Sequence, residues 1–206
     1  MMKIGYRVDD QKIDGSLRNL SAELDSLKDI GLQCVELPAH GMDVIRNCEI
    51  DAPVLNKVKD ILGGYDLEYT VHCADSMNLM DEDNIRDNLG VFASSLEFCR
   101  QIRSKVFVYH PGRYIPEEEF NFNYGKKADE SQRKELLAAE RIYIKEKAAA
   151  YPEIRICMEN ARPYKNMAHY CYAEEMELIL NVVYETKATY PINMFYQNNI
   201  IGGTPL

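Results

Sequence analysis

Val106-Phe107-Val108-Tyr109-His110-Pro111-Gly112 is an apolar run of four residues closed by an imidazole and then by a turn pair. β-Branched and aromatic residues bounded by Pro and Gly read as a buried strand. The layout occurs twice more. Leu67-Glu68-Tyr69-Thr70-Val71 runs into His72, and Ile154-Arg155-Ile156-Cys157-Met158 runs into Glu159. In a parallel α/β sheet, ligands and chemistry collect beyond the carboxyl ends of the strands. Two imidazoles and a carboxylate gathered there can hold a divalent cation such as zinc or manganese.

Working outward, the remaining segments alternate strand with helix. Ile4-Gly5-Tyr6-Arg7-Val8 reads as the first strand and Cys34-Val35-Glu36-Leu37 as the second. Between them Ser16 is a helix N-cap, with Leu17, Leu20, Leu24, Leu27 and Ile30 as the inward stripe and Gly31 as the left-handed stop. A second helix starts after Asp51, where Pro53 suits the first turn, and carries Val54, Leu55, Val58, Ile61 and Leu62. The third carries Ile85, Leu89, Phe92, Leu96, Cys99 and Ile102 on one face. The fourth follows a polar loop from Arg113 to about Asp129 and carries Leu136, Leu137, Ile142 and Ile144. A last helix covers about Ala173 to Glu185, with Met176, Ile179, Leu180 and Val183 inward.

This rhythm, with a strand roughly every 30 residues, predicts parallel strands joined by right-handed crossovers. An open doubly wound sheet and a (β/α)8 barrel both fit it. No Gly-rich phosphate loop follows the first strand, which removes the usual nucleotide readings of the open sheet. With 206 residues the chain is short for a barrel of about 250. A sixth candidate strand is Ile192-Asn193-Met194-Phe195-Tyr196, and the tail 198–206 is expected to be loosely held.

Composition narrows the function classes. A net charge of -9 argues against a broad nucleic-acid surface, which needs clustered Lys and Arg. The six cysteines contain no C-x-x-C pair and read as small buried hydrophobes in a reducing compartment. No signal peptide or membrane-length apolar stretch is present, so the expected location is the cytoplasm, away from membranes.

Four segments together resemble the xylose isomerase-like TIM-barrel superfamily, which contains sugar phosphate isomerases/epimerases and zinc-dependent abasic-site endonucleases. They are Gly31-Leu32-Gln33-Cys34-Val35-Glu36-Leu37, Val71-His72-Cys73-Ala74-Asp75-Ser76-Met77-Asn78-Leu79, Tyr109-His110-Pro111-Gly112 and Met158-Glu159-Asn160. The resemblance runs from Lys3 to Glu185. It implies an α/β fold of the (β/α) TIM-barrel type over residues 1–206, a single domain and a partial barrel of five to six parallel strands. In the nuclease branch the matching residues bind metal together, which makes His72, His110 and Glu159 one ligand set. In the epimerase branch the strand-five glutamate binds the metal and takes part in proton transfer, so Glu159 is also the catalytic candidate. Family members continue with an Asp-His pair on strand six, a histidine on strand seven and a glutamate on strand eight. Pro191-Ile192-Asn193-Met194-Phe195-Tyr196 has no acid and no histidine, so the C-terminal third is expected to be altered or incomplete.

Each residue also has a plainer reading. His72 alone reads as a satisfied core histidine, and Pro111-Gly112 would end a strand without any metal. Glu159 after Ile156-Cys157-Met158 is harder to explain, because a carboxylate at an apolar rim needs a cation or donors. Asn160 is a candidate donor or substrate contact. Glu36 either faces the pocket or pairs with Arg7, and Arg113 is a candidate for a phosphate or carboxylate against a surface role. His40 and His169 fall in predicted loops as solvated residues, with His169 also within reach of the site mouth. The expected activity is a metal-dependent sugar or sugar phosphate isomerisation or epimerisation, by proton transfer next to a carbonyl through an enediolate. The alternatives are an abasic-site phosphodiesterase and a non-catalytic barrel remnant; homo-oligomerisation would cover open strand edges.

Overall fold

The computed structural model describes residues 3–116, 119, 128–159, 171 and 176–186. Seven strands, β1 (Gly5–Arg7), β2 (Cys34–Pro38), β3 (Ile45–Arg46), β4 (Glu49–Ile50), β5 (Glu68–His72), β6 (Val106–Tyr109) and β7 (Arg155–Met158), are described. The described helices are α1 (Asp10–Ile13), α2 (Leu17–Asp29), α3 (Ala52–Leu62), α4 (Ile85–Gln101), α5 (Glu130–Ala150) and α6 (Met176–Thr186). Five strands form one sheet in the order β1-β2-β5-β6-β7. The pairs β1–β2, β2–β5 and β5–β6 are parallel, with Arg7 opposite Glu36 and His72 opposite Val108. The three strands whose sequences end in His72, His110 and Glu159 are therefore β5, β6 and β7. The sixth candidate strand, the tail and His169 lie outside the described residues.

The described residues fall into two compact units. One comprises the chain up to Ala74 with Gly90–Val108, the other Asp75–Leu89 with Tyr109 onward.

In the first unit the helix starts follow the capping residues read from sequence. Ser16 accepts from the Asn19 N–H at 3.3 Å and Asp51 from the Val54 N–H at 3.0 Å. Leu20, Leu24 and Leu27 of α2 and Leu55, Val58 and Leu62 of α3 are buried. Phe92 of α4 packs on Phe107 of β6, ring centroids 5.5 Å apart. Ile30 departs from its predicted stripe and is 73% exposed. The helix stops at Asp29 and Gly31 turns the chain with φ +82°, so position 30 has left the helical period. Small elements between the main strands and helices escaped the sequence reading, among them a 3-10 turn at His40–Met42. Helix α1 is capped by Asp9, and β3 pairs with β4 through Asn47 and Cys48, both at positive φ as in a type I′ turn.

In the second unit α5 opens with a capping box between Asp129 and Gln132. Its buried stripe is Leu137, Glu140 and Ile144, while Ile142, expected inward, is 56% exposed. Five residues along a helix are about 140° around it, so 137 and 142 cannot share a face. Leu180 of α6 is likewise 47% exposed, because the buried line runs Ile179, Val182, Thr186. No described helix is long and apolar enough to cross a membrane.

Candidate metal and catalytic site

His110 directly follows β6 and precedes Pro111, and a residue before proline is biased toward extended backbone. Glu159 directly follows β7, and its backbone N–H donates to the Tyr109 carbonyl at 2.9 Å, fixing the two strand ends against each other. Within this unit His110 lies between two carboxylates. Its Nε2 is 3.3 Å from Glu159 Oε2, and its Nδ1 is 3.9 Å from Asp75 Oδ1. Glu159 is 21% exposed, His110 32% and Asp75 59%, a gradient from protected carboxylate to solvated one.

The His110–Glu159 separation tests whether a cation fits. Two ligand atoms on one tetrahedral zinc, each about 2.1 Å from it, stand about 3.4 Å apart. The observed 3.3 Å matches that edge, and it equally fits a direct histidine–carboxylate pair. An imidazole nitrogen and a carboxylate oxygen are donors that zinc and manganese both accept. Asp75 lies 3.9 Å from the other ring nitrogen, close enough for its charge to act on the ring but beyond direct hydrogen-bond reach.

The loop after His110 is held by buried polar groups. Asn78, fully buried, accepts from the backbone N–H groups of Arg113 at 2.9 Å and Met80 at 3.0 Å. Its Nδ2 donates to the carbonyls of Arg113 and Ile115, each at 3.0 Å, so the amide's four positions are filled. Arg113 turns its terminal nitrogens to the carbonyls of Asp75, 3.2 Å, and Ser76, 3.0 Å. Its backbone also bridges to Cys171. These bonds tie the segment bearing Asp75 to the segment bearing His110. A separate cavity of about 370 Å³ lies beside Met80, Tyr114, Ile115 and Gln132; neither His110 nor Glu159 lines it.

In the first unit His72 closes β5 and is 1% exposed. Its Nδ1 is 2.8 Å from the Cys73 carbonyl oxygen. A carbonyl only accepts, so Nδ1 carries the proton and, in the neutral ring, Nε2 keeps the lone pair a metal needs. Glu36 is half-buried on β2, in register with Arg7 and Thr70. His40, expected to be solvated, instead holds Asp10, Nε2 to Oδ2 at 2.9 Å. That hydrogen bond keeps the Asp10 carboxyl below its ordinary value of 3.8, against a partial counter-effect of burial. Asn160 and His169 lie outside the described residues.

Sequence reasoning missed Asp75, Asn78 and Glu140. Asp75 and Asn78 stand inside the quoted stretch after His72, and their polarity directly after a strand was the available signal. Glu140 was hidden by its helix period.

The family model described as xylose isomerase-like TIM barrel matches residues 24–187. This chain belongs to that family. No curated protein matches it in a sequence comparison. Among solved structures it is similar to a D-tagatose 3-epimerase-like protein, at 19% identity and TM-score 0.56, covering 81% of this chain and 55% of the other. D-psicose 3-epimerase from Clostridium cellulolyticum H10 gives 14% identity and TM-score 0.60, covering 88% and 60%. L-ribulose 3-epimerase gives 12% identity and TM-score 0.62, covering 91% and 58%. At these identities the likeness establishes the shared xylose isomerase-like fold. The chain spans less than two thirds of the length of each.

Proposed function

We propose that the protein is a metal-dependent isomerase or epimerase of a small keto sugar or sugar phosphate. The observation that carries this is the 3.3 Å approach of His110 Nε2 to Glu159 Oε2 at the rim of a xylose isomerase-like sheet. His110 and Glu159 would hold the cation, with the Asp75 carboxylate on the other side of the His110 ring. A divalent cation, zinc or manganese, supplies polarisation of a carbonyl and its neighbouring hydroxyl when bound.

Glu159 removes the proton from the carbon next to the carbonyl, leaving an enediolate. Returning that proton to the neighbouring carbon, while the hydroxyl proton passes to the other oxygen, moves the carbonyl. Returning one to the same carbon from the opposite face inverts it, which requires a second base. Asn160 and Arg113 complete the proposal as substrate contacts. Solved structures of similar fold carry the names of sugar epimerases, which supports the substrate class. The six free cysteines support a reducing, cytoplasmic location. Self-association is part of the proposal and is checked by size in solution.

The phosphodiesterase alternative uses the same ligands, but a net charge of -9 weighs against a DNA surface.

The test combines metal and proton readouts. Wild-type protein equilibrated with zinc or manganese should retain one equivalent after dialysis, and Glu159→Gln and His110→Ala should not. Keto sugars incubated with loaded protein in D2O should gain deuterium next to the carbonyl. Absence of retained metal in the wild type sinks the ligand set; retained metal without deuterium uptake leaves the non-catalytic remnant.

A further inference from the structure

The second unit buries a carboxylate that the proposed chemistry does not use. Glu140 sits in the middle of the α5 stripe, between Leu137 and Ile144, and is 0% exposed. A carboxylate there faces a large desolvation cost unless donors meet it. Its Oε1 accepts from the Tyr109 hydroxyl at 2.5 Å and from the Gly112 backbone N–H at 2.7 Å. The first distance is that of a strong O–H···O⁻ bond.

The two donors stand on either side of His110-Pro111. Pro111 offers no N–H, so the turn has few backbone donors of its own and takes its anchor from the helix. Gly112 is required by this approach. A Cβ there would lie 2.7 Å from Glu140 Oε1 and 2.8 Å from Met80 Cγ. Asn78 holds the next residues, Arg113 and Ile115. The segment is pinned at 109, 112, 113 and 115, and His110 lies within the first interval.

We propose that Glu140 is the positioning residue for His110, its buried carboxylate fixing the strand end so that the imidazole meets Glu159 at 3.3 Å. The inference rests on the metal reading above for its consequence and on the hydrogen bonds for its geometry. Glu140 touches neither metal nor substrate.

The experiment uses the full chain with Co²⁺ alone as the probe. Glu140→Leu keeps the volume and removes the acceptor. Glu140→Gln keeps an oxygen that can accept from both donors, and Tyr109→Phe removes one donor. Glu140→Leu should weaken cobalt binding about 10- to 100-fold and shift its visible absorption bands, as loss of an orienting partner does. Glu140→Gln should restore most of the affinity, and Tyr109→Phe should fall between. Wild-type affinity and bands in Glu140→Leu, or in Tyr109→Phe if Leu does not fold, would overturn the proposal. If the wild type takes up no cobalt, the metal reading fails separately. The ring ¹⁵N resonances of His110 in metal-free protein then decide: a shift between wild type and variant sustains the positioning role, and identical resonances end it.

Discussion

The two units bury different kinds of polar group. Among the described residues, the first buries His72, Ser95 and Ser104, while the second buries Asn78, Asp81, Glu140 and Thr186. The serines bond backbone oxygens, Ser95 to Val91 and Ser104 to Val106, and cost their helices and turns little. A buried carboxylate is another matter, since it must be matched by donors or it destabilises the fold. In the second unit the matching donors are the backbone and side chains of the segment carrying His110. Both units bury apolar side chains, and the second adds buried polar groups that fix where particular atoms stand. That division predicts that stability and metal affinity respond to different substitutions.

The largest stability loss should come from Phe92→Ala, which empties the contact with Phe107 and should cost about 3–5 kcal/mol in urea unfolding. Cobalt binding by the folded protein should keep its wild-type bands. Asn78→Ala should cost less, on the order of 3 kcal/mol, because it strands two N–H and two C=O groups rather than opening a large cavity. It should nonetheless weaken cobalt binding more than Phe92→Ala does. The opposite ranking would erase the distinction between the units.

Gly112→Ala forces a methyl against Glu140 and Met80 and should cost about 1–3 kcal/mol, with a loss of affinity out of proportion to that figure. The smallest effect belongs to Asp10. Its carboxyl is held below 3.8 by His40, so its contribution is full above that value and is lost as pH falls through the lower, folded value. The melting-temperature gap between wild type and Asp10→Asn should hold at pH 5 and close below pH 3.8. A gap that widens on acidification would contradict the assigned direction.

Much of the scaffold was legible because short-range chemistry sets it. Ser16 and Asp51 accept from the helix starts that follow them, and the apolar runs ending at Tyr109 and Met158 are strands with those ends. Periodicity failed at Ile30, Ile142 and Leu180. An apolar residue near a stripe looks like part of it until the end of the helix, or the neighbour it packs on, is known. The hairpin at Asn47-Cys48 gave a weak signal because its second turn residue is not glycine.

The sequence by itself determined that His72, His110 and Glu159 close successive strands of a parallel sheet, since each stands directly after an apolar run whose side chains need burial. Tertiary structure decided that Asp75 lies beside the His110 ring and that Glu140, far along the chain on a helix, ties down the turn after it. Strand ends follow from local composition. A hydrogen bond spanning 28 residues depends on how a helix lies against a loop, and no local pattern encodes that distance.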